Sequence, residues 1–180
     1  MGALTALAAP SPVKRAQPVC LAHHLLAYIA MAERDPLTAL YNRRALEVRA
    51  PRLLEDVSAT RPGALLLIDI DNFKLVNDLF GHSAGDRLLV DLSEMIRAVL
   101  PTGALAARLG GDEFVILLNN APTERILALG GALREQFRQA AAQLFPTPAP
   151  VTLSIGANLF DQPPGSLTAL IEQSDSALYA

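Results

Sequence analysis

The sequence predicts an α+β fold in which a central, mainly antiparallel sheet is flanked by helices. Short apolar runs of strand length alternate with longer stretches whose apolar residues recur every three or four positions. Between two of the short runs stands a Gly-Gly pair, which predicts a hairpin because its tight turn needs positive φ angles. The order β-α-α-β-β-α-β-α then predicts a sandwich of the ferredoxin-like or palm type.

Composition favours a folded chain in the cytoplasm. Of the 180 residues, 51% are apolar and 18% are charged, which is enough apolar material for a core. The formal charge of −3 gives no general attraction to nucleic acid, so we expect no such partner. No apolar run reaches the roughly 18 residues that cross a bilayer, so we expect no membrane segment in this chain.

We expect two parts along the chain. Residues 1–34 hold a flexible, proline-containing lead and then a stretch with helical spacing over 19–34. That helix is either a stalk that pairs two chains or a helix packed on the domain. Residues 35–180 carry the remaining elements and form the main domain.

The first half of this domain begins at Asp35-Pro36, where we expect a helix that runs to about Asp56. A continuous apolar run over 63–69 predicts a buried strand that ends in acid. A short helix over 73–80 follows, and a longer amphipathic helix comes after Gly81 and Gly85.

The second half begins with the hairpin, whose strands we expect over 104–109 and 113–118. Apolar residues at helical spacing from Ile126 to Phe137 predict the next helix. Alternation over 151–159 predicts a one-sided strand, and Ser166 is expected to cap the last helix.

Acidic residues stand at the ends of two predicted strands. Asp69 and Asp71 close the first, and Asp112 and Glu113 sit at the hairpin turn. Carboxylates that meet on one rim of a sheet suit Mg²⁺ or Mn²⁺, and Mg²⁺ completes its shell with water and substrate phosphates. The pattern therefore predicts a nucleoside triphosphate as substrate. Considered one at a time, however, each of these acids and glycines is also common in ordinary turns.

Four motifs in order make the pattern specific. They are Asp35-Pro36-Leu37-Thr38-Ala39-Leu40-Tyr41-Asn42-Arg43-Arg44; Asp69-Ile70-Asp71-Asn72-Phe73-Lys74 with Asn77-Asp78, Gly81-His82 and Gly85-Asp86; Arg108-Leu109-Gly110-Gly111-Asp112-Glu113-Phe114; and Ser154-Ile155-Gly156 with Ser174-Asp175-Ser176-Ala177-Leu178-Tyr179. With these motifs the chain resembles the GGDEF family of diguanylate cyclases over residues 33–180.

The resemblance implies roles for individual residues. Asp69, Asp112 and the Ile70 carbonyl would bind divalent metal, and Glu113 would assist metal binding or deprotonate the attacking 3′-hydroxyl. Six residues would bind GTP, namely Asn77, Asp86, Lys74, Phe73, Gly110 and Gly111. Of these, Asn77 and Asp86 would recognise the guanine base. Asp71 and His82 are expected to have structural roles.

The implied reaction joins two GTP molecules into cyclic di-GMP and releases two pyrophosphates. Because each domain of the family binds one GTP, the resemblance also implies a homodimer, at least a transient one. The alternative is a catalytically silent GGDEF module that binds GTP or a partner for regulation. A dimerisation domain without nucleotide would leave the acids unexplained.

The sequence departs from the family pattern in three ways. The chain stops at Ala180, before the Lys and Arg that would hold the triphosphate, and we expect truncation rather than an impaired form. Pro101 and Ala104 stand where many members carry the Arg and Asp of an inhibitory product site, so we expect weak binding of cyclic di-GMP there. Ala39 replaces a usual Gly, for which we expect a modest local adjustment.

Overall fold

The structure is a computed structural model that describes residues 28–29 and 31–178, with side chains described as far as Ser174. The chain divides into two compact units, Met1–Ala32 and Glu33–Ala180. In the first unit the described residues are helical, and most of the helix expected over 19–34 lies outside the described residues. The sheet and its flanking helices belong to the second unit.

Ten elements are described in this second unit. The strands are β1 (Tyr41–Asn42), β2 (Gly63–Asp71), β3 (Leu105–Gly110), β4 (Glu113–Leu118) and β5 (Thr152–Phe160). The helices are α1 (Arg43–Leu54), α2 (Phe73–Phe80), α3 (His82–Val99), α4 (Thr123–Leu144) and α5 (Leu167–Leu178).

The five strands form one mixed sheet in the order β1-β3-β4-β2-β5. The β1–β3 pair is parallel and the other three pairs are antiparallel. β2 lies between β4 and β5, and its residues 63–68 are buried, as expected for a continuous apolar run in a central strand. The predicted α+β class with a mainly antiparallel sheet is confirmed.

Helices cover both faces of the sheet, and alternate residues of β2 show how. Leu66, Ile68 and Ile70 belong to a first core, to which α2, α3 and α4 contribute. Leu65 and Leu67 belong to a second core with residues of α1 and α5. Since successive strand residues point to opposite faces, the odd-numbered positions of β2 lie on the α1/α5 face.

The helix expected from Asp35 is wrong in its start, because the first motif folds as a turn and α1 begins at Arg43. The Asp35 carboxylate accepts hydrogen bonds from the Thr38 amide and hydroxyl at 2.9 and 2.7 Å, so it closes a turn instead of opening a helix. The actual N-cap is Asn42, whose side chain accepts from the Ala45 amide at 2.9 Å.

Two features of this segment escaped the sequence pattern. Ala39 has a left-handed backbone with φ of 57°, which explains why glycine suits the position. The strand β1 is only two residues long and pairs with Ala107 and Arg108, which is too short for any periodicity to reveal.

The later elements follow the predictions closely. The short helix spans Phe73–Phe80 as expected, and the amphipathic helix α3 starts at His82. Ser166 accepts from the Ala169 amide at 3.1 Å and thus caps α5. Among the described residues, no helix combines the length and apolar character needed to cross a bilayer.

Candidate active site

The acids of β2 lie at the end of the central strand and on a defined face. Asp69 and Asp71 share the parity of Leu65 and Leu67, so they belong to the α1/α5 face of the sheet. Both are partly exposed, whereas the neighbouring Ile70 is 1% exposed and packs in the first core. The apolar side chain of Ile70 offers no oxygen to a metal ion, so only its backbone carbonyl could act as a metal ligand.

The hairpin brings a second acid beside Asp69. Pairing of β2 with β4 ends at Ile68 and Phe114, and one further step along this antiparallel register places Glu113 opposite Asp69. Glu113 has the parity of Val115, a second-core residue, so the two acids lie on the same face at neighbouring strand ends. The sequence prediction that the acids converge on one rim agrees with this register.

The turn itself uses both glycines of the motif. Gly110 has φ of 150° and Gly111 has φ of 52°, conformations in which a side chain would be strained. The register shifts by one residue between Arg108 and Gly110, so a bulge precedes the turn. The two turn residues are Gly111 and Asp112, one position later than a Gly-Gly turn, and Asp112 thus lies at the tip of the hairpin.

These donors suit a divalent metal that is shared with a substrate. In the described part of the chain, no three His, Cys, Asp or Glu side chains form a metal-binding group. Mg²⁺ commonly takes one or two protein carboxylates together with carbonyl, water and phosphate oxygens. Asp69, Asp112 and the Ile70 carbonyl are oxygen donors of that kind, so the residues present fit Mg²⁺ or Mn²⁺.

Arg108 connects the hairpin turn to the start of the domain. Its Nε and Nη2 donate to the Gly111 carbonyl oxygen at 3.0 and 2.7 Å. Its Nη1 lies 3.2 Å from Asp35 Oδ1, and the two side chains are only 15% and 19% exposed. This guanidinium therefore holds the turn backbone against the Asp35 turn, and we call the Asp35–Arg108–Gly111 chain the turn brace.

The contacts of Asp35 stabilise its charged form. Burial raises the pKa of its carboxyl, but hydrogen bonds from Thr38 and Arg108 outweigh burial and hold that pKa below its ordinary value. The brace is thus a charge-assisted link at neutral pH.

The residues expected to read guanine lie where α2 meets α3. A Cβ added to Gly85 would stand 2.1 Å from Asn77 Oδ1 and 3.1 Å from Phe73 Cζ, so both side chains rest against that glycine. Asp86, the next residue, is exposed. Asn77 on α2 therefore packs against the residue that precedes Asp86 on α3.

Lys74 and Phe73, the other substrate residues predicted on α2, differ in solvent exposure. Lys74 is exposed on α2. Phe73 packs partly against the first core, so its ring has a structural role as well. Their contacts with a substrate stay predictions.

The surface of Pro101 and Ala104 forms a cavity of about 400 Å³. Arg61 and Arg125 line it from other elements, together with Asn119 and Asn120. No carboxylate is among the lining residues, so the acidic partner of the family's product site is absent from this part of the described chain. Weak binding of cyclic di-GMP at this surface stays a prediction.

Sequence reasoning gave no positioning role to Arg108, Thr152 or Ser154. Arg108 and Ser154 belong to the motifs, but Arg108 reaches Asp35 across 73 residues of sequence and Ser154 reaches Asp71 across 83. Ser154 donates to Asp71 Oδ1 at 2.6 Å, and Thr152 donates to Asp71 Oδ2. A hydroxyl beside a strand acid in three dimensions leaves no periodic signal in one dimension.

Comparison with known proteins agrees with this geometry. The family model described as "Diguanylate cyclase, GGDEF domain" matches residues 32–180. Diguanylate cyclase TpbB of Pseudomonas aeruginosa (strain UCBPP-PA14) is 40% identical over 156 residues, which cover 82% of this chain and 34% of that protein. The chain thus spans about a third of the length of this curated relative.

Two solved structures share the fold. The coiled coil and GGDEF domain of DgcB from Caulobacter crescentus, in complex with c-di-GMP, has a TM-score of 0.75 at 26% identity and covers 90% of this chain and 86% of that one. Diguanylate cyclase SiaD of Pseudomonas aeruginosa, in complex with its activator SiaC, has a TM-score of 0.74 at 30% identity and covers 89% and 62%.

The match extends over most of the chain and includes the hairpin, the acids beside it and the first turn. Identity above 30% to a named cyclase over four fifths of the chain agrees with it. The chain belongs to the GGDEF family of diguanylate cyclase domains.

Proposed function

We propose that this domain is a diguanylate cyclase that condenses two GTP molecules into cyclic di-GMP and releases two pyrophosphates. The observation that carries the proposal is the register of β2 and β4, which sets Glu113 opposite Asp69 while Asp112 occupies the adjacent turn. An acidic rim open to solvent suits a triphosphate with its metal better than it suits a structural ion pair.

Asp69, Asp112 and the Ile70 carbonyl would hold the metal. A bound Mg²⁺ or Mn²⁺ would neutralise charge on the phosphates and lower the pKa of the attacking hydroxyl. Glu113 is exposed at the start of β4 and lies at the same rim. Its carboxylate would take the proton of the 3′-hydroxyl or assist in metal binding.

Base selection would come from Asn77 and Asp86. A carboxylate accepts from the ring N–H and the exocyclic amine of guanine, whereas adenine lacks these paired donors. A site that loses such partners can reject an analogue by a factor of about 10⁴. Lys74, exposed on α2, would meet phosphate oxygens. Gly110 and Gly111 have no side chains, so the nucleotide could approach their backbone closely.

Ring closure requires two nucleotide sites that face each other, so we propose a homodimer as the active form. Glu113 and Gly111 are exposed, which leaves the rim open to a second copy. The Caulobacter relative was solved with a coiled coil joined to its GGDEF domain. By analogy, residues 19–34 would bring two chains together, in the cytoplasm where GTP is supplied.

The proposal is tested by incubating the full chain with GTP and Mg²⁺ and separating the nucleotides by chromatography. We expect cyclic di-GMP from the wild type and from Asp161→Asn, which changes an exposed acid beyond the far end of β5. Asp112→Asn should yield no product. GTP binding without product in the wild type would instead support a silent regulatory module.

A further inference from the structure

The strand end that carries Asp69 pairs with β5 beyond the point where its pairing with β4 ends. Pairing of β2 with β4 stops at Ile68 and Phe114. Pairing with β5 continues through Asp69–Ser154 and Asp71–Thr152. The backbone that presents Asp69 and the Ile70 carbonyl therefore depends on the first residues of β5 for its position.

Side chains reinforce this pairing with β5. Asp71 Oδ1 accepts from the Ser154 hydroxyl at 2.6 Å, and Asp71 Oδ2 accepts from the Thr152 hydroxyl. One residue on, Asn72 Nδ2 donates to the Pro150 carbonyl oxygen at 2.8 Å, while the Asn72 backbone is left-handed with φ of 61°. Both oxygens of the Asp71 carboxylate thus have hydroxyl partners on β5.

We infer that Asp71, Thr152 and Ser154 form a carboxylate clamp that positions the metal-binding end of β2 without binding metal directly. The inference rests on the proposed function of Asp69 and Ile70. Hydrogen bonds from hydroxyls to a carboxylate at this distance are short and charge-assisted, so they hold the strand end more firmly than neutral bonds would.

The clamp also fixes the direction of an acidic side chain. Asp71 has the parity of Asp69 and Glu113, so a third carboxylate lies on the face that would meet the triphosphate. Two hydroxyl donors direct it toward β5. A released Asp71 carboxylate would compete for metal or repel phosphate oxygens.

A purely structural clamp and a positioning clamp differ in what they do to metal affinity. Groups that orient metal ligands typically contribute 10- to 100-fold to that affinity. A structural clamp would change only the unfolding temperature. The discriminating readout is therefore Mn²⁺ binding, which can be measured without turnover.

The experiment compares the wild type with Ser154→Ala and with Thr152→Val, each in the presence of a non-reactive GTP analogue. Mn²⁺ binding is followed by electron paramagnetic resonance, and nucleotide affinity is measured separately without metal. We expect about tenfold weaker Mn²⁺ binding in each variant, with metal-free nucleotide affinity unchanged. Ser154→Thr keeps a hydroxyl and should restore most of the affinity.

Ser166→Ala is the matched control, because it removes a hydroxyl that caps α5 and has no contact with Asp71 in the described structure. It should lower the unfolding temperature while leaving Mn²⁺ affinity as in the wild type. Unchanged Mn²⁺ affinity in Ser154→Ala and Thr152→Val would overturn the inference. So would Asp71→Asn abolishing Mn²⁺ binding while both hydroxyl variants retain it, since Asp71 would then be a ligand. A wild type that binds GTP but no Mn²⁺ would contradict the proposed function itself.

Discussion

At the residue scale, one glycine determines whether Asn77, the side chain proposed to read guanine, has room. Gly85 is buried, and any Cβ there would overlap Asn77 Oδ1 at 2.1 Å. Such a distance forces the carboxamide to move. The backbone of Gly85 is ordinary for a helix, so the requirement is one of space rather than of φ angle.

We predict that Gly85→Ala raises the KM for GTP by about tenfold, because the displaced carboxamide loses a hydrogen bond to the base. Steady-state kinetics on folded protein measure the effect. Gly131→Ala is the control: nothing lies within 4 Å of its added Cβ, and it should leave the KM unchanged. An unaltered KM in Gly85→Ala would remove Asn77 from base recognition.

The charge of Asp35 gives a prediction about pH. Its folded-state pKa lies below the ordinary value, so its contribution to stability is present above the unfolded-state pKa of about 3.9. That contribution is lost as the pH falls through the folded-state pKa. We therefore expect Asp35→Asn to lower the free energy of unfolding by about 1 to 3 kcal/mol at pH 7.

The difference between wild type and Asp35→Asn should shrink below pH 4, and urea denaturation at pH 7 and pH 3 measures it. Asp56→Asn serves as the comparison, since Asp56 is 65% exposed and lies 3.9 Å from Arg61. It should cost little at either pH. An equal difference at both pH values for Asp35→Asn would mean that charge plays no part in the turn brace.

At the element scale, the turn before α1 contains a strained residue. Ala39 is exposed and has φ of 57°, a region that costs a non-glycine residue about 1–2 kcal/mol. Glycine removes this cost but adds about 0.4–1 kcal/mol of unfolded-state entropy. The balance favours glycine.

We predict that Ala39→Gly raises the free energy of unfolding by up to about 1 kcal/mol, measured by chemical denaturation. Ala128→Gly provides the opposite case, because Ala128 is exposed on helix α4. It should lower the same free energy by about 1 kcal/mol. Destabilisation by both substitutions would show that the Ala39 conformation is not strained in solution.

Elements with strong periodicity could be predicted from the sequence, and those fixed by side-chain contacts could not. The continuous apolar run of β2 predicts a buried strand, and the apolar stripe of α3 predicts an amphipathic helix. The predicted helix start at Asp35 is wrong because an Asp-Pro pair is compatible with both a helix and a turn. The hydrogen bonds from Thr38 to Asp35 stabilise the turn, and they cannot be read from the sequence. The bulge before Gly110 likewise depends on strand pairing.

The candidate site likewise contains residues that could be predicted from the sequence and residues that could not. Its acids and glycines could be predicted because their chemistry is local to short motifs. Arg108 and the hydroxyls of β5 act through partners that are distant in sequence. Three-dimensional register was needed to see that Asp69 faces Glu113 and that Asp71 faces β5.

At the scale of the whole molecule, the proposed reaction needs two copies of the domain. We predict that specific activity rises with protein concentration until the dimer is saturated. Excess Asp112→Asn should inhibit the wild type by forming mixed dimers, whereas excess Asp161→Asn should not. Specific activity that is independent of concentration, without inhibition by Asp112→Asn, would contradict a reaction shared between two chains.

The surface around Pro101 predicts little product inhibition. Its cavity has guanidinium groups from Arg61 and Arg125 but no carboxylate among its lining residues. We expect calorimetric titration with cyclic di-GMP to show only weak binding. Submicromolar binding that is lost in Arg61→Ala would show that these arginines replace the family's motif.

The most direct test of the central claim is the balance of nucleotides in a reaction of the full chain with GTP and Mg²⁺. We expect one cyclic di-GMP and two pyrophosphates for every two GTP consumed, with no conversion in Asp69→Asn or Asp112→Asn. GTP that is bound but left intact, or converted only to GDP and phosphate, would contradict it.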